Sequence, residues 1–196
     1  MAEQLKSDTV QRRSIGARQN PNAEAAILDA ALDIVLTKGA KGLTMDAVAR
    51  KAKAGKATIY RWWPTRGALL LAIYARIKGM HSHADTGKIE TDIASFFDYV
   101  FAFWRGDAGQ IFALIIAEAQ SDVEVAEALA QYRRARIDDW LIVLERAARR
   151  GELRNGLDHR QIANSIIAIA WHHLLTNRLE AKGSDLARPL VCGLSG

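Results

Sequence analysis

The sequence predicts an all-α fold, and three observations support this class. Apolar residues recur every three or four positions over most of the chain, as in Ile27, Ala31, Ile34 and Val35, which is the period of one helix face. No segment alternates apolar and polar residues in the way a half-buried strand would. Residues that begin or end helices separate the periodic segments. We expect about eight or nine helices.

The first elements are a polar arm and three helices. Residues 1–20 lack an apolar face and predict a flexible basic arm. A first helix after Pro21 is expected to end at Gly39, since glycine is the usual residue just past a helix end. Thr44 can cap a short second helix through its hydroxyl. After a break, a third short helix is expected from Lys56 to Trp63.

The next helices are delimited in the same way. Pro64 ends the third helix, because the residue before a proline is pushed out of the helical region. Thr65 can then cap a fourth helix, which connects the two halves of the chain. An aromatic-rich helix follows and is expected to stop near Gly106, and a shorter apolar helix comes after it.

The last part of the chain predicts two long helices and one irregular one. Ser121–Glu124 and Asp158–Gln161 match the capping-box pattern, in which a side chain at the helix start and one three residues later satisfy backbone N–H groups. Each therefore opens a helix. Pro189 and Gly193 interrupt the final segment, so the last helix is expected to be short or broken.

Bulk composition excludes several classes of protein. Apolar residues at 49% and charged residues at 25% are ordinary for a globular chain. There is no run of about 18 apolar residues to span a membrane, and the polar N-terminus does not match a signal peptide. The lone Cys192 cannot form an internal disulfide and fits a reducing cytoplasm. One cysteine and five histidines do not predict a zinc site, and we expect no metal or cofactor.

Charge is distributed unevenly along the chain. Residues 1–80 contain 14 lysines and arginines and six acidic residues, a net charge of +8. Residues 81–196 contain 13 and 16, a net charge of −3. A basic front half favours contact between that half and a polyanion. A solvated, lysine-rich surface would give the same numbers, so charge alone leaves both interpretations open.

The second and third predicted helices have the lengths and spacing of a helix-turn-helix, whose second helix enters the DNA major groove. At 100° per residue, Ile59 and Trp63 lie within about 40° of each other and define the inward face of the third helix. Ala57, Thr58 and Arg61 cluster on the opposite side. This face offers a small residue, a hydroxyl and a guanidinium to base edges, although a solvated helix could hold the same residues.

Other polar groups surround this outward face. Tyr60 and Trp62 lie on its two shoulders, where a phenol and an indole N–H can donate to phosphate. Lys53 and Lys56 are placed for backbone contacts. Arg66 lies in the first turn of the fourth helix, where a cation opposes the helix dipole. A phosphate docked at the helix start would explain why a cation occupies this position. The alternative is that Arg66 simply lies in solvent.

At these residues the chain resembles a known family. The segment LTMDAVARKAKAGKATIYRWWPTRGALL, Leu43 to Leu70, is similar to the N-terminal DNA-binding domain of tetracycline-repressor-like (TetR) regulators. The matching positions are Thr44, Val48, Ala49, Ala52, Thr58, Ile59, Tyr60, Trp62, Trp63, Thr65, Arg66 and Leu69. The resemblance implies an N-terminal three-helix helix-turn-helix domain over residues 21–68. It also implies a C-terminal helical ligand-binding and dimerisation domain over residues 69–196.

The resemblance also implies a function. Members of the family are homodimers that bind a palindromic operator on double-stranded DNA, usually as repressors released by a small-molecule effector. Carried over by position, Thr44 would contact a phosphate at the start of the second helix. The residues at or near bases would be Lys56, Ala57, Thr58 and Arg61. Those on the DNA backbone would be Tyr60, Trp62 and Arg66.

Three residues depart from the family pattern. The turn glycine of the family is Lys53 here, its capping serine is Gly55, and its recognition-helix glycine is Ala57. A lysine in a left-handed conformation costs on the order of 1 kcal/mol. Either Lys53 accepts this conformation, or the turn has another shape in which Gly55 takes the special backbone role.

The C-terminal half supplies candidate lining for an effector pocket, and aromatic side chains dominate it. The candidates are Phe97, Phe101, Trp104, Phe112, Tyr132, Trp140, Trp171 and His172. Most aromatic residues at helical spacing are simply core residues. No paired carboxylates, nucleophile–base set or phosphate loop occurs at a recognisable spacing, so an enzyme is not expected. A ligand-independent DNA-binding protein, a small all-helical enzyme and an interaction module remain as alternatives.

Overall fold

The computed structural model describes residues 21–78 and 83–194. Within these residues it contains nine α-helices and no strand, which confirms the predicted all-α fold. The predicted arm over residues 1–20 lies outside the described residues. In chain order the helices are α1 (Pro21–Gly42), α2 (Met45–Ala52), α3 (Lys56–Trp62), α4 (Arg66–Lys78), α5 (Ile89–Trp104), α6 (Asp107–Glu118), α7 (Val123–Arg149), α8 (His159–Leu175) and α9 (Gly183–Cys192).

Helix α1 is kinked at its predicted stop, and helix α2 begins just after its predicted cap. Ile27 and Ile34 of α1 are buried, in agreement with its apolar period. Gly39 leaves the helical conformation, with φ 67° and ψ −177°, so the regular part of α1 stops there. The hydroxyl of Thr44 accepts a hydrogen bond from the N–H of Ala47 at 3.1 Å. The predicted cap is therefore confirmed, whereas the predicted stop at Gly39 is a kink, because α1 continues to Gly42.

The turn between α2 and α3 has the left-handed residue at its start. Lys53 has φ 51° and ψ 36°, whereas Gly55 has φ −69° and ψ 137°, an ordinary extended conformation. The alternative in which Gly55 takes the special backbone role is therefore wrong. Lys53 accepts this conformation, and its N–H donates to the last carbonyls of α2, as in a helix C-cap.

Helix α3 is one residue shorter than predicted. It ends at Trp62, and Trp63 is an extended residue with φ −131° and ψ 94°, as the following Pro64 requires. The hydroxyl of Thr65 accepts a hydrogen bond from the N–H of Ala68 at 3.1 Å and caps α4. The short link from α3 to α4 thus has a defined conformation, and it places the start of α4 next to the end of α3.

The sequence predicts the cap of α8 correctly and misses the cap of α7 by one residue. Helix α7 is capped by Asp122, whose carboxylate accepts from the N–H groups of Glu124 and Val125, so the predicted cap at Ser121 is off by one residue. Helix α8 is capped by Asp158, as predicted. A carboxylate reaches the free N–H groups of a first turn as well as a hydroxyl does, which explains the shift.

Helix α9 is short and packs closely on α5. The N–H of Gly183 donates to the carboxylate of Asp98 at 2.7 Å. A Cβ atom at Gly183 would lie 2.1 Å from the carbonyl oxygen of Ala94, so only glycine allows this approach. The prediction of a short last helix is confirmed. Pro189 lies inside α9 without breaking it, and the helix ends at Cys192, with Gly193 as the residue that follows.

The apolar faces of α5 and α6 meet in the core of the C-terminal half. Phe97 and Phe101 of α5 and Ile111 and Phe112 of α6 are all at most 1% exposed. No single helix in residues 21–78 and 83–194 is long and apolar enough to cross a membrane. Helices α5 and α6 meet that test only as a pair, and they are bent by 92° at their junction.

Candidate functional site

The recognition-helix candidate α3 presents two different faces. Ile59 is fully buried and Trp63, just past the helix, is 7% exposed, so both anchor the element in the core. On the opposite side Ala57 and Arg61 are exposed and Thr58 is half-buried. The predicted inward and outward faces are confirmed, because burial divides these residues as the 100° spacing does. The outward face leaves a methyl, a hydroxyl and a guanidinium open to a partner.

The two shoulders of this face are not equivalent. Tyr60 is 48% exposed, which is high for an aromatic side chain. Trp62 is half-buried, and its ring meets that of Trp63 edge to face, with centroids 5.6 Å apart. The guanidinium of Arg61 lies over the Trp62 ring at 5.9 Å from its centroid. Trp62 therefore supports Arg61 by a cation–π contact.

The polar groups around α2 flank the same face. Thr44 and Lys53 are exposed at the two ends of α2. The ammonium group of Lys56 lies 2.7 Å from the carboxylate of Asp46, and both side chains are more than half exposed. Such an exposed pair is weak and exchanges readily for other partners. The cations at this surface are thus available to a polyanion.

Arg66 has a partner that neither sequence interpretation included. Its guanidinium lies 3.0 Å from the carboxylate of Glu118, the last residue of α6, and each side chain is about one-third exposed. Next to it, Gly67 is buried against Val125 of α7, where a Cβ atom would lie 1.9 Å from a methyl carbon. The start of α4 is therefore fixed to the C-terminal helices by an ion pair and by a close contact.

A narrow aromatic cavity lies between α4, α5, α7 and α8. It has about 610 Å³ of empty space, part of it open to solvent. Five of the eight predicted lining residues line it: Trp104, Phe112, Tyr132, Trp140 and Trp171.

The other three predicted lining residues do not line this cavity. Phe97 and Phe101 are core residues, at most 1% exposed. His172 is exposed and faces a groove between α8 and α9. Helical spacing places Phe97 and Phe101 on the apolar side of α5 and His172 on α8. It does not indicate which side of either helix faces the cavity. If this cavity is the effector site, its lining does not include these three residues.

The cavity has polar groups that sequence reasoning missed. Lys78 of α4 and Arg136 and Asp139 of α7 all line it. The Arg136 guanidinium lies 3.0 Å from the Asp139 carboxylate. Burial, and then the nearby Arg136, lower the pKa of Lys78 to about 8. The only sequence signal was the i, i+3 spacing of Arg136 and Asp139 on one helix, which is a common surface pattern.

Two buried tyrosines, Tyr74 and Tyr132, also line the cavity. The indole N–H of Trp104 donates to the hydroxyl of Tyr74 at 2.9 Å. Burial raises the pKa of Tyr74 and that of Tyr132, so both hydroxyls stay protonated at neutral pH.

The residues that the structure describes contain no group of three or more histidine, cysteine, aspartate or glutamate side chains able to hold a metal.

Models of known protein families match both halves of the chain. Residues 27–73 match the family model described as bacterial regulatory proteins, tetR family. Residues 83–191 match the model described as tetracyclin repressor-like, C-terminal domain. The chain belongs to the TetR family. The first match covers α2, α3 and their surroundings, so the exposed face of α3 lies in the family's DNA-binding region.

Individual relatives support the same assignment. The HTH-type transcriptional regulator YdeS of Bacillus subtilis (strain 168) is 29% identical over 174 residues, 86% of each chain. The DNA-binding transcriptional repressor TetR of Mycobacteroides abscessus is 28% identical and covers 76% of this chain and 80% of its own. The crystal structure of the TetR family transcription regulator SCO0332 aligns with a TM-score of 0.67 at 26% identity, over 89% of this chain and all of that one. The protein is a DNA-binding transcriptional regulator.

Proposed function

We propose that the protein is a homodimeric repressor that binds a palindromic operator and is released from it by a small-molecule effector. It acts in the cytoplasm, needs no cofactor and catalyses no reaction. Residues 21–68 form the DNA-binding domain, and residues 69–196 bind the effector and the second subunit. The proposed DNA contacts are Thr44, Lys53, Lys56, Ala57, Thr58, Tyr60, Arg61, Trp62 and Arg66.

The observation that carries this proposal is the position of α4. Its first residue, Arg66, follows the recognition helix after a three-residue link, and Tyr74 and Lys78 in its second half line the cavity. Thirteen helical residues span about 20 Å. A ligand that widens the cavity displaces the end of α4, and the helix transmits this displacement to α3. The ligand must bind the released state more tightly, because equal affinity for both states shifts nothing.

A groove between α8 and α9 supports the dimer. It is mainly apolar and open to solvent, and Leu175 at the end of α8 is 56% exposed. Its lining includes Ala168, Ile169, Leu186, Pro189 and Leu190. A two-fold dimer through this face would present two recognition helices at once. Such a dimer reads a palindrome whose half-sites lie one helical turn of DNA, about 34 Å, or a multiple of it apart.

The test is a footprint on the DNA flanking the protein's own gene, followed by fluorescence anisotropy on the protected fragment. We expect a two-fold symmetric protected site and one dimer per site, checked by sedimentation of the complex. Monomeric protein in sedimentation, or binding with no salt dependence, would contradict the proposal. A protected site that no small molecule from a metabolite library weakens would favour the ligand-independent alternative.

A further inference from the structure

The aromatic cavity has a polar end with two cations on one ring. The ammonium group of Lys78 lies 5.6 Å from the centre of the Tyr132 ring, and the guanidinium of Arg136 lies 5.4 Å from the same centre. Asp139 pairs with Arg136, which leaves one net positive charge at this end. A cationic ligand would meet two cations and an acid that is already paired, so an anionic ligand is favoured.

Two buried donors near this end have no acceptor. Trp140 is 1% exposed, and its indole N–H makes no hydrogen bond within residues 21–78 and 83–194. The same holds for the Nε group of Arg136. Both residues line the cavity. Buried N–H groups almost always have a partner, so these two donors are left without one despite the acceptors elsewhere in the lining. A ligand with acceptor oxygens would supply the missing partners.

The remaining walls favour a flat ring system. The Trp104 and Phe112 rings are stacked with an angle of 14° between their planes, and Tyr99 and Phe103 are parallel within 3°. All four line the cavity. Aromatic ligands pair with such rings through faces and edges.

We propose that this cavity binds a flat aromatic monoanion, with its rings among the aromatic side chains and its carboxylate between Lys78 and Arg136. The inference rests on the proposed function, since it names the chemical class of the effector. It goes beyond that function because it assigns Lys78 and Arg136 as the residues that select charge. Neither residue belongs to the DNA-binding face.

Calorimetry with three probes of one shape tests the charge selection directly. The probes are 2-naphthoate, the neutral 2-naphthamide and the cation 2-naphthylmethylammonium, each titrated into the full-length protein without DNA at pH 7. We expect naphthoate to bind at least tenfold more tightly than either of the others. Comparable affinity for the amide or the cation overturns the proposal, and so does the absence of naphthoate binding at millimolar concentration.

Two matched variants locate the selecting charge. Lys78→Met keeps the aliphatic stem and removes the ammonium group, so the preference for naphthoate over the amide is expected to fall below threefold. Lys88→Met makes the same change at an exposed residue outside the cavity and is expected to keep the full preference. Thermal unfolding of both variants confirms that they fold. Retained preference in Lys78→Met would overturn the assignment of Lys78.

The pH profile gives an independent readout. Lys78 faces Arg136, Asp139 and Tyr132 on α7, with Tyr74 on its own helix, Tyr99 on α5 and His83 lining the same cavity. A bound carboxylate stabilises the ammonium form and raises the pKa of Lys78 from about 8. Affinity for naphthoate is therefore highest below pH 8 and falls as the pH rises above it, whereas affinity for the amide stays constant. Parallel profiles for both probes would contradict the role of Lys78.

Failure of this inference and failure of the proposed function are distinguishable. If naphthoate binds selectively and leaves operator binding unchanged, the charge selection stands and release by such a ligand is wrong. If naphthoate does not bind and another compound releases the operator, the proposed function stands and the aromatic anion is wrong. The calorimetric titration and the anisotropy assay use the same protein preparation. Calorimetry measures ligand binding, and anisotropy measures only DNA binding.

Discussion

Arg66, the first residue of α4, forms an ion pair with Glu118, the last residue of α6, at 3.0 Å. A cation in the first turn of a helix is unfavourable in isolation, and the carboxylate offsets this effect. The same guanidinium is a proposed phosphate contact, so Glu118 and DNA compete for one side chain. The pair therefore joins the position of α6, which lines the cavity through Phe112, to the DNA-binding face.

Removing the carboxylate is expected to strengthen DNA binding. Glu118→Gln frees Arg66 and removes a negative charge near the phosphate backbone. A partly exposed ion pair is worth up to about 1 kcal/mol, so we expect a three- to fivefold tighter operator complex, measured by anisotropy. Glu127→Gln, at another exposed acid further along the C-terminal half, is the matched control. Unchanged or weaker binding in Glu118→Gln would show that the pair does not oppose DNA.

Removing the arginine is expected to weaken binding to every sequence. A phosphate contact positions the protein without reading bases, so Arg66→Ala reduces affinity for operator and random DNA by the same factor. It also reduces the slope of log affinity against log salt by about 1. Titrations at four salt concentrations measure both effects. A loss confined to the operator would place Arg66 at a base instead.

Arg61 is expected to behave differently, because its guanidinium lies on the outward face of α3. Arg61→Ala is predicted to weaken operator binding by about 1–3 kcal/mol and to relax the sequence preference at one position. Anisotropy against single-base operator variants measures this. Arg134→Ala, at an exposed arginine of α7, is the control and should change neither affinity nor preference. Equal losses on operator and random DNA would reassign Arg61 to the backbone.

Lys53 combines a cost in stability with a proposed role in binding. Its left-handed conformation is unfavourable for a residue with a side chain. Lys53→Gly removes this strain, although glycine adds freedom to the unfolded chain. We expect the free energy of unfolding in urea to rise by up to about 1 kcal/mol while DNA affinity falls. Lys51→Gly, in the helical part of α2, should lower stability instead. A lower free energy of unfolding for Lys53→Gly would contradict the prediction that Lys53 is strained.

Local sequence features predicted much of this molecule, and long-range contacts account for the rest. The caps at Thr44, Thr65 and Asp158 depend on residues two or three positions away, so the sequence alone indicates them. The two faces of α3 follow from helical period in the same way. In contrast, Glu118 meets Arg66 from another helix, and Lys78 meets Arg136 only after folding. No local pattern marks such pairs, since each member reads as an ordinary surface charge.

The contact between Gly67 and Val125 gives a test of how tightly the two halves are joined. A Cβ atom at Gly67 would lie 1.9 Å from one Val125 methyl and 2.6 Å from the other. Gly67→Ala therefore forces α4 away from the start of α7. Overpacking of this kind costs about 1–3 kcal/mol, measured by thermal or urea unfolding. Moving the start of α4 also moves α3, so operator affinity is expected to fall with stability.

A second substitution tests whether the steric clash with Val125 causes the effects of Gly67→Ala. Val125→Ala removes both methyl groups that Gly67→Ala would strike, so the double variant is expected to recover part of the lost stability and of the operator affinity. The coupling between the two positions should be favourable and larger than the scatter of about 0.5 kcal/mol seen for independent sites. Strictly additive losses would mean that the two helices adjust without strain, and that α4 is free to move at this end.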